Sequence, residues 1–380
     1  MRRSITIFFF VLGILTAQAQ PFAIGTRTIT FNDASRSRDI ACTIHYPAEV
    51  AGNNTPTMMG EFPVLVHGHG FVMGVDAYTN LRDGFVPRGY ILVLPSTEGG
   101  LSPDHAAFGL DLAFLVGAMQ AEGADAGSPF YQHVAPATAI MGHSMGGGAS
   151  YLAAANNADI QALVNFAPAE TDPSAITAAA QVLVPTLTFA ATEDCVTPAA
   201  TNQSPMYAAV PVACKAFVNV VGGGHCYFGA NSFTCSFGEI TCGPDLTINR
   251  EEQHAVMNDF AGLWLDHFLK DDASALNAFR DSTLLSTRVI AEHTCLTTAV
   301  AEQEEATLSV WPVPADDLLR LEGVPNGARI MVYNTQGQRV AFRPLTTNVL
   351  DVSGLPNGAY FIQTSVGTSR SVQRFAVMRR

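Results

Sequence analysis

Lysine is nearly missing from this chain. Its 380 residues hold only Lys215 and Lys270, and Lys and Arg together number 20 against 33 Asp and Glu. The formal net charge is −13. No basic cluster exists that could neutralise several phosphates, which argues against nucleic acid as a partner. The acidic balance implies solubility and says nothing about fold. Beyond the first twenty residues no run is long and apolar enough to span a bilayer. Also absent are the tight Cys-x-x-Cys pairs of structural zinc sites, which weakens a metal reading of His225, Cys226, Cys235 and Cys242. No cysteine follows Cys295.

What is present is a globular composition, 48% hydrophobic and 14% charged, long enough for more than one small domain. The start reads as a signal peptide over residues 1–19. Arg2 and Arg3 precede an apolar stretch from Ile5 to Leu15, and Ala17-Gln18-Ala19 offers small residues for cleavage. A membrane anchor is the competing reading, but the stretch falls short of the roughly 20 residues a spanning helix needs. An exported chain meets an oxidising compartment, so its seven cysteines are expected to form disulfides with one left over. Cys235 with Cys242, and Cys195 with Cys214, are the pairings that proximity suggests.

The pattern along the chain is that of an α/β protein. Thr28 to Tyr46 partly alternates and predicts antiparallel edge strands. Short continuous apolar runs predict buried parallel strands at 62–67, 90–95, 137–141, 162–166, 185–190 and 215–220. Helices are expected at about 105–119, 149–155 and 253–268. This alternation implies a mostly parallel sheet with helices on both faces. A catalytic domain is expected over 20–296 and a polar, acidic linker over 297–306. Residues 307–380 predict a small all-β sandwich, with short alternating strands between the Asn334-Thr335-Gln336-Gly337 and Pro356-Asn357-Gly358 turns.

Gly142-His143-Ser144-Met145-Gly146 fits a nucleophile elbow. It follows an apolar strand and precedes a helix, and that context is what separates it from a chance match in a chain with 32 glycines. A serine hydroxyl needs a neighbouring base to become a nucleophile. His225 follows a strand and Gly222-Gly223-Gly224, so it stands where that base should stand. The acid that orients the imidazole is sought in Glu193-Asp194-Cys195-Val196-Thr197-Pro198, with Asp194 preferred to Glu193. The order Ser, Asp, His is the α/β-hydrolase order. Two N–H donors for an oxyanion are expected at Met145 and in the loop His67-Gly68-His69-Gly70-Phe71, at Phe71 rather than Gly70. His67 and His69 are expected to brace that loop.

These motifs resemble bacterial cutinases, PET-type polyester hydrolases and the neighbouring dienelactone-hydrolase and chlorophyllase-like esterases. The resemblance covers about residues 25–295. It implies an α/β-hydrolase fold, ester hydrolysis through an acyl-enzyme, no metal or organic cofactor, and Phe71 packed on the acyl group; His143 and Glu170 are further candidates along the substrate. Polyester hydrolases carry a Trp soon after the strand that follows the elbow helix, whereas here Ala167-Pro168-Ala169-Glu170-Thr171-Asp172 holds none. A peptidase, an amidase or a non-catalytic binding module on the same scaffold are the alternatives. The C-terminal part resembles the sorting domain of the type IX secretion system. The carriers are Val310-Trp311-Pro312-Val313-Pro314, Val332 to Val340 and Leu350 to Tyr360, with Val313 in place of the usual Asn. That implies the type IX machinery as partner and export through the periplasm of a Gram-negative cell. A monomer with an ester substrate, polymeric or lipid, is the expected state.

Overall fold

The computed structural model describes residues 21–242, 246–294, 309–322, 324, 329–335, 339–344, 349–366 and 369–379. The expected signal peptide at 1–19 and linker at 297–306 lie outside them. The chain divides into two compact units, Met1–Leu296 and Thr297–Arg380.

In the first unit the strands are β1 (Ala23–Asp33), β2 (Arg38–Ala48), β3 (Gly52–Asn53), β4 (Phe62–Gly68), β5 (Ile91–Pro95), β6 (Val134–His143), β7 (Ala162–Phe166), β8 (Thr186–Ala191), β9 (Lys215–Val220) and β10 (Val289–His293). The helices are α1 (Thr79–Phe85), α2 (His105–Ala124), α3 (Met145–Ala154), α4 (Ala175–Ala179), α5 (Gln203–Ala209), α6 (Phe233–Gly238), α7 (Arg250–Lys270) and α8 (Ala273–Leu285). Among the described residues the strands join one sheet in the order β10-β9-β8-β7-β6-β4-β5-β2-β1-β3. From β5 through β9 the pairings are parallel. β1 and β2 form the expected antiparallel edge, and β10 closes the other edge antiparallel to β9.

Strand alternation sorts the core into two faces. Leu65, Leu92, Met141, Val164, Leu187 and Val218 point to one face and meet Phe260 and Trp264 of α7 and Phe279 of α8. Val64, Val66, Ile91, Val93, Ile140 and Leu163 point to the other and meet Phe108, Leu112 and Leu115 of α2 and Ala149 of α3. Strands buried on both faces explain the continuous apolar runs in the sequence. Helix ends follow their caps. Asp104 accepts from the Ala107 N–H at the start of α2, and Asn249 with Glu252 makes a capping box on α7. α7 starts three residues earlier than its apolar stripe predicted, at the capping box, and α2 runs five residues further at its C-terminal end, to a turn closed by the Asp125 N–H on Ala121 O.

The second unit has the predicted all-β character. Strands β11 (Ser309–Trp311), β12 (Leu318–Glu322) and β15 (Val349–Asp351) form one antiparallel sheet. β13 (Arg329–Asn334), β14 (Arg339–Pro344), β16 (Gly358–Val366) and β17 (Ser369–Val377) form another. Leu319, Leu321 and Leu350 from the first share one apolar core with Ile330, Val332, Ile362 and Phe375 from the second.

Candidate active site

Ser144 sits at the turn from β6 into α3 with φ 55° and ψ −122°. A positive φ at a residue other than glycine is costly and persists only where the surroundings enforce it. They do so here. The Ser144 N–H donates to Phe166 O at 3.0 Å, and Ser144 O accepts from the N–H groups of Gly148 and Ala169 at 3.1 and 2.9 Å. The neighbouring glycines are required by close approach. A Cβ at Gly142 would lie 2.2 Å from Gly146 O, and one at Gly146 would lie 2.2 Å from the Gly68 backbone. α3 therefore begins at Met145, four residues earlier than the alanine-rich pattern suggested, since glycines there serve packing against β4 rather than helix propensity.

His225 lies beyond β9 and donates from Nδ1 to Asp194 Oδ2 at 2.8 Å. That bond leaves Nε2 to accept from Ser144 Oγ at 2.9 Å. All three side chains are buried. Asp194 is held by the N–H groups of Val196 and Thr197, at 2.9 and 2.8 Å from Oδ1, and by the Thr197 hydroxyl at 2.9 Å from Oδ2. Glu193 is half-buried, and its Oε1 accepts from Thr192 instead. Two supporting residues escaped the sequence reading. Gln203 donates to Thr197 Oγ1 and to Pro168 O, bracing the acid loop. Gln253 exchanges two hydrogen bonds with Gly224, one residue before the base. The signal for Thr197 was its place in Asp-x-Val-Thr-Pro, but nothing local marks Gln203 or Gln253.

A second buried chain of hydrogen bonds ties the loop after β4 to the base. The Gly70 N–H donates to Tyr78 Oη at 2.7 Å, and Tyr78 Oη donates to His143 Nδ1 at 3.1 Å. His143 Nε2 then donates to His225 O at 3.1 Å. Burial pushes the His143 pKa well below the ordinary histidine value. This corrects the expectation that His143 meets substrate: with no exposed surface and both ring nitrogens engaged, it is a buried strut. Glu170 differs from His143 in this respect. It is exposed, but its Oε2 accepts from the Ile176 N–H at the first turn of α4 and its own N–H donates to Asn202. Oε2 thus serves a helix terminus, where negative charge is favourable, on a side chain that remains open to solvent. Phe71, half exposed, precedes Val72, whose φ of 53° is rare for a β-branched residue. His69 braces the loop as expected, bonding Gly70 O and Thr97 O. His67 does not. Both its ring nitrogens lack partners among the described residues, and burial lowers its pKa to about 3. It packs edge-on against Tyr78 instead.

The disulfides differ from the proximity guesses. Cys195, next to Asp194, pairs with Cys242, and Cys226, next to His225, pairs with Cys235. Cys235 is turned inward on α6, which brings its Cα within 5.6 Å of that of Cys226. Both bridges thus secure the segment after the base. Arg250 adds to this by donating to Cys226 O and, at 2.7 Å, to Gly229 O, while Glu239 Oε1 accepts the Cys226 N–H at 2.7 Å.

Comparison with known proteins agrees with this geometry. Residues 12–241 match the PET hydrolase-like family, and residues 309–378 match the secretion system C-terminal sorting domain. A bis(hydroxyethyl) terephthalate hydrolase of Streptomyces coelicolor is 29% identical over 44% of this chain and 49% of its own length. Cutinase 1 of Thermobifida cellulosilytica is 26% identical over 56% of this chain and 75% of its own, and a cutinase of Thermobifida fusca is 26% identical over 56% and 65%. The chain thus spans about half the length of the first of these relatives. With the larger match covering more than half of its residues, the chain belongs to the PET hydrolase-like family of α/β-hydrolases and ends in a secretion-system sorting domain.

Proposed function

We propose that the first unit is a serine carboxylic ester hydrolase. The observation that carries this is the continuous relay from Asp194 Oδ2 through both nitrogens of His225 to Ser144 Oγ, with neither contact longer than 2.9 Å. In this reading Ser144 Oγ attacks the ester carbonyl as His225 Nε2 takes its proton. Asp194 holds the imidazole in the Nδ1–H tautomer and offsets the charge it gains. His225 then protonates the leaving alkoxide, and a water deprotonated by the same nitrogen releases the acyl group. Met145 opens α3, where the first N–H groups have no intrahelical acceptor. Its N–H and that of Phe71 form the oxyanion hole. The Gly70 N–H is already given to Tyr78, which favours Phe71 as the second donor.

Cutinase and terephthalate-ester activity among the relatives supports an acyl specificity of that kind here. The sorting domain supports export by the type IX machinery, which makes the substrate one met outside the cell. The test is hydrolysis of p-nitrophenyl butyrate by the full chain. Wild type is expected to turn over, and His225→Ala to lose at least about a thousandfold in kcat. Equal rates in the two proteins would end the proposal.

A further inference from the structure

The segment after the base turns its apolar side chains to water. Residues 227–238 contain no charged side chain, in a chain whose net charge is −13. On α6, Phe233 is 85% and Phe237 65% exposed, four residues apart on one helix face with rings stacked at 6.5 Å between centroids. Ile240, two residues beyond the end of α6, is 72% exposed. Exposed single apolar residues need no explanation, but two stacked, exposed aromatic rings on one helix face mark a contact surface.

Its place is fixed by bonds to the neighbours of all three functional loops. Cys235 is bridged to Cys226, beside His225, and Cys242 to Cys195, beside Asp194. Thr234 Oγ1 donates to Val72 O at 3.0 Å, beside Phe71. Val72, next in the chain to the half-exposed Phe71, is thus held against the same segment. These tethers hold α6 beside the loops that carry His225, Asp194 and Phe71.

We propose that Phe233 and Phe237 form an adsorption ridge that seats the uncharged, apolar surface of a solid polyester beside the Ser144 site. The inference rests on the esterase reading for its purpose. The absence of charge along 227–238 fits an uncharged solid rather than an ionic partner, and aromatic faces suit broad apolar contact.

Binding is measured on the full chain carrying Ser144→Ala, by depletion onto polycaprolactone particles. Adding Phe233→Ser and Phe237→Ser is expected to weaken partitioning at least tenfold. Adding Leu284→Ser and Leu285→Ser, two exposed residues on α8, is expected to change it less than twofold. Equal binding by the α6 variant and its parent overturns the ridge, as does equal loss in both double variants. If sedimentation shows a dimer that the α6 variant abolishes while particle binding persists, the two rings seat a second copy and the proposal fails. In proteins with Ser144 intact, the ratio of polyester to soluble p-nitrophenyl butyrate turnover is expected to fall at least tenfold in the α6 variant. Failure of wild type on the soluble ester would sink the esterase reading alone, since particle binding is read without turnover.

Discussion

Replacing Tyr78 by Phe removes one oxygen and two buried hydrogen bonds. The Gly70 N–H loses its acceptor at 2.7 Å, and His143 Nδ1 loses its donor at 3.1 Å. Tyr78 has no exposed surface, so water cannot replace the hydroxyl without a cavity. Leaving a buried polar group unpaired costs about 1–3 kcal/mol. Two such groups set the expected loss at about 2–4 kcal/mol, since the ring itself stays and partial relaxation is available. For a unit of this size that is a fall in Tm of about 3–7 °C. The catalytic consequence comes from Gly70, which immediately precedes Phe71. Loss of an oxyanion donor costs about a hundred- to a thousandfold in kcat, so loosening one is expected to cost about ten- to a hundredfold. Ground-state binding does not use that donor fully, and KM is expected to change less than threefold. Steady-state kinetics on p-nitrophenyl butyrate and a thermal melt read both effects. A folded Tyr78→Phe protein with kcat within twofold of wild type would refute the coupling between this strut and the oxyanion loop.

Other expectations follow from the same geometry. Asp194→Asn is expected to lower kcat about a thousandfold or more with the fold intact, because an amide can hold the wrong imidazole tautomer; circular dichroism with kinetics checks it. Substituting both Cys195 and Cys242 by Ser opens a 47-residue separation and is expected to cost about 2–4 kcal/mol in urea unfolding. Stability should also fall with pH. Burial holds the folded pKa values of His67 and His45 down to about 3 and about 4. The unfolded chain binds their protons near pH 6.5 while the native state does not, so stability is full above that value and declines as pH drops toward 4. Each histidine contributes a slope of up to about 1.4 kcal/mol per pH unit. Urea midpoints from pH 7 to 4 should show the decline, and His67→Phe should make it shallower; a midpoint that stays level or rises as pH falls would contradict the buried neutral state.

The parallel strands were legible because burial on both faces leaves no polar alternation to confuse them. Ala162–Phe166 and Lys215–Val220 read from sequence with the bounds they have in space. α8 was not legible, since only Ala275 and Phe279 are buried in it and the rest resembles a loop in composition. The short helices α1, α4, α5 and α6 span at most seven residues each, too few to show a repeating apolar face. Ser144, Asp194 and His225 stood out because each chemistry-bearing residue follows a strand end, and the structure brings those ends together. What sequence could not show were contacts between distant segments. His143 stands next to the nucleophile in the chain, yet its environment is decided by Tyr78, 65 residues earlier. The disulfide partners depended on how α6 turns, not on which cysteines were nearest.

The central claim is that Ser144 alone is made nucleophilic by the His225–Asp194 pair. Labelling the full chain with a fluorophosphonate ester and locating the adduct by peptide mass spectrometry tests it directly. One adduct is expected, on Ser144, lost in Ser144→Ala and slowed at least a hundredfold in His225→Ala. An unlabelled wild type, or an adduct at another serine that survives Ser144→Ala, would contradict it.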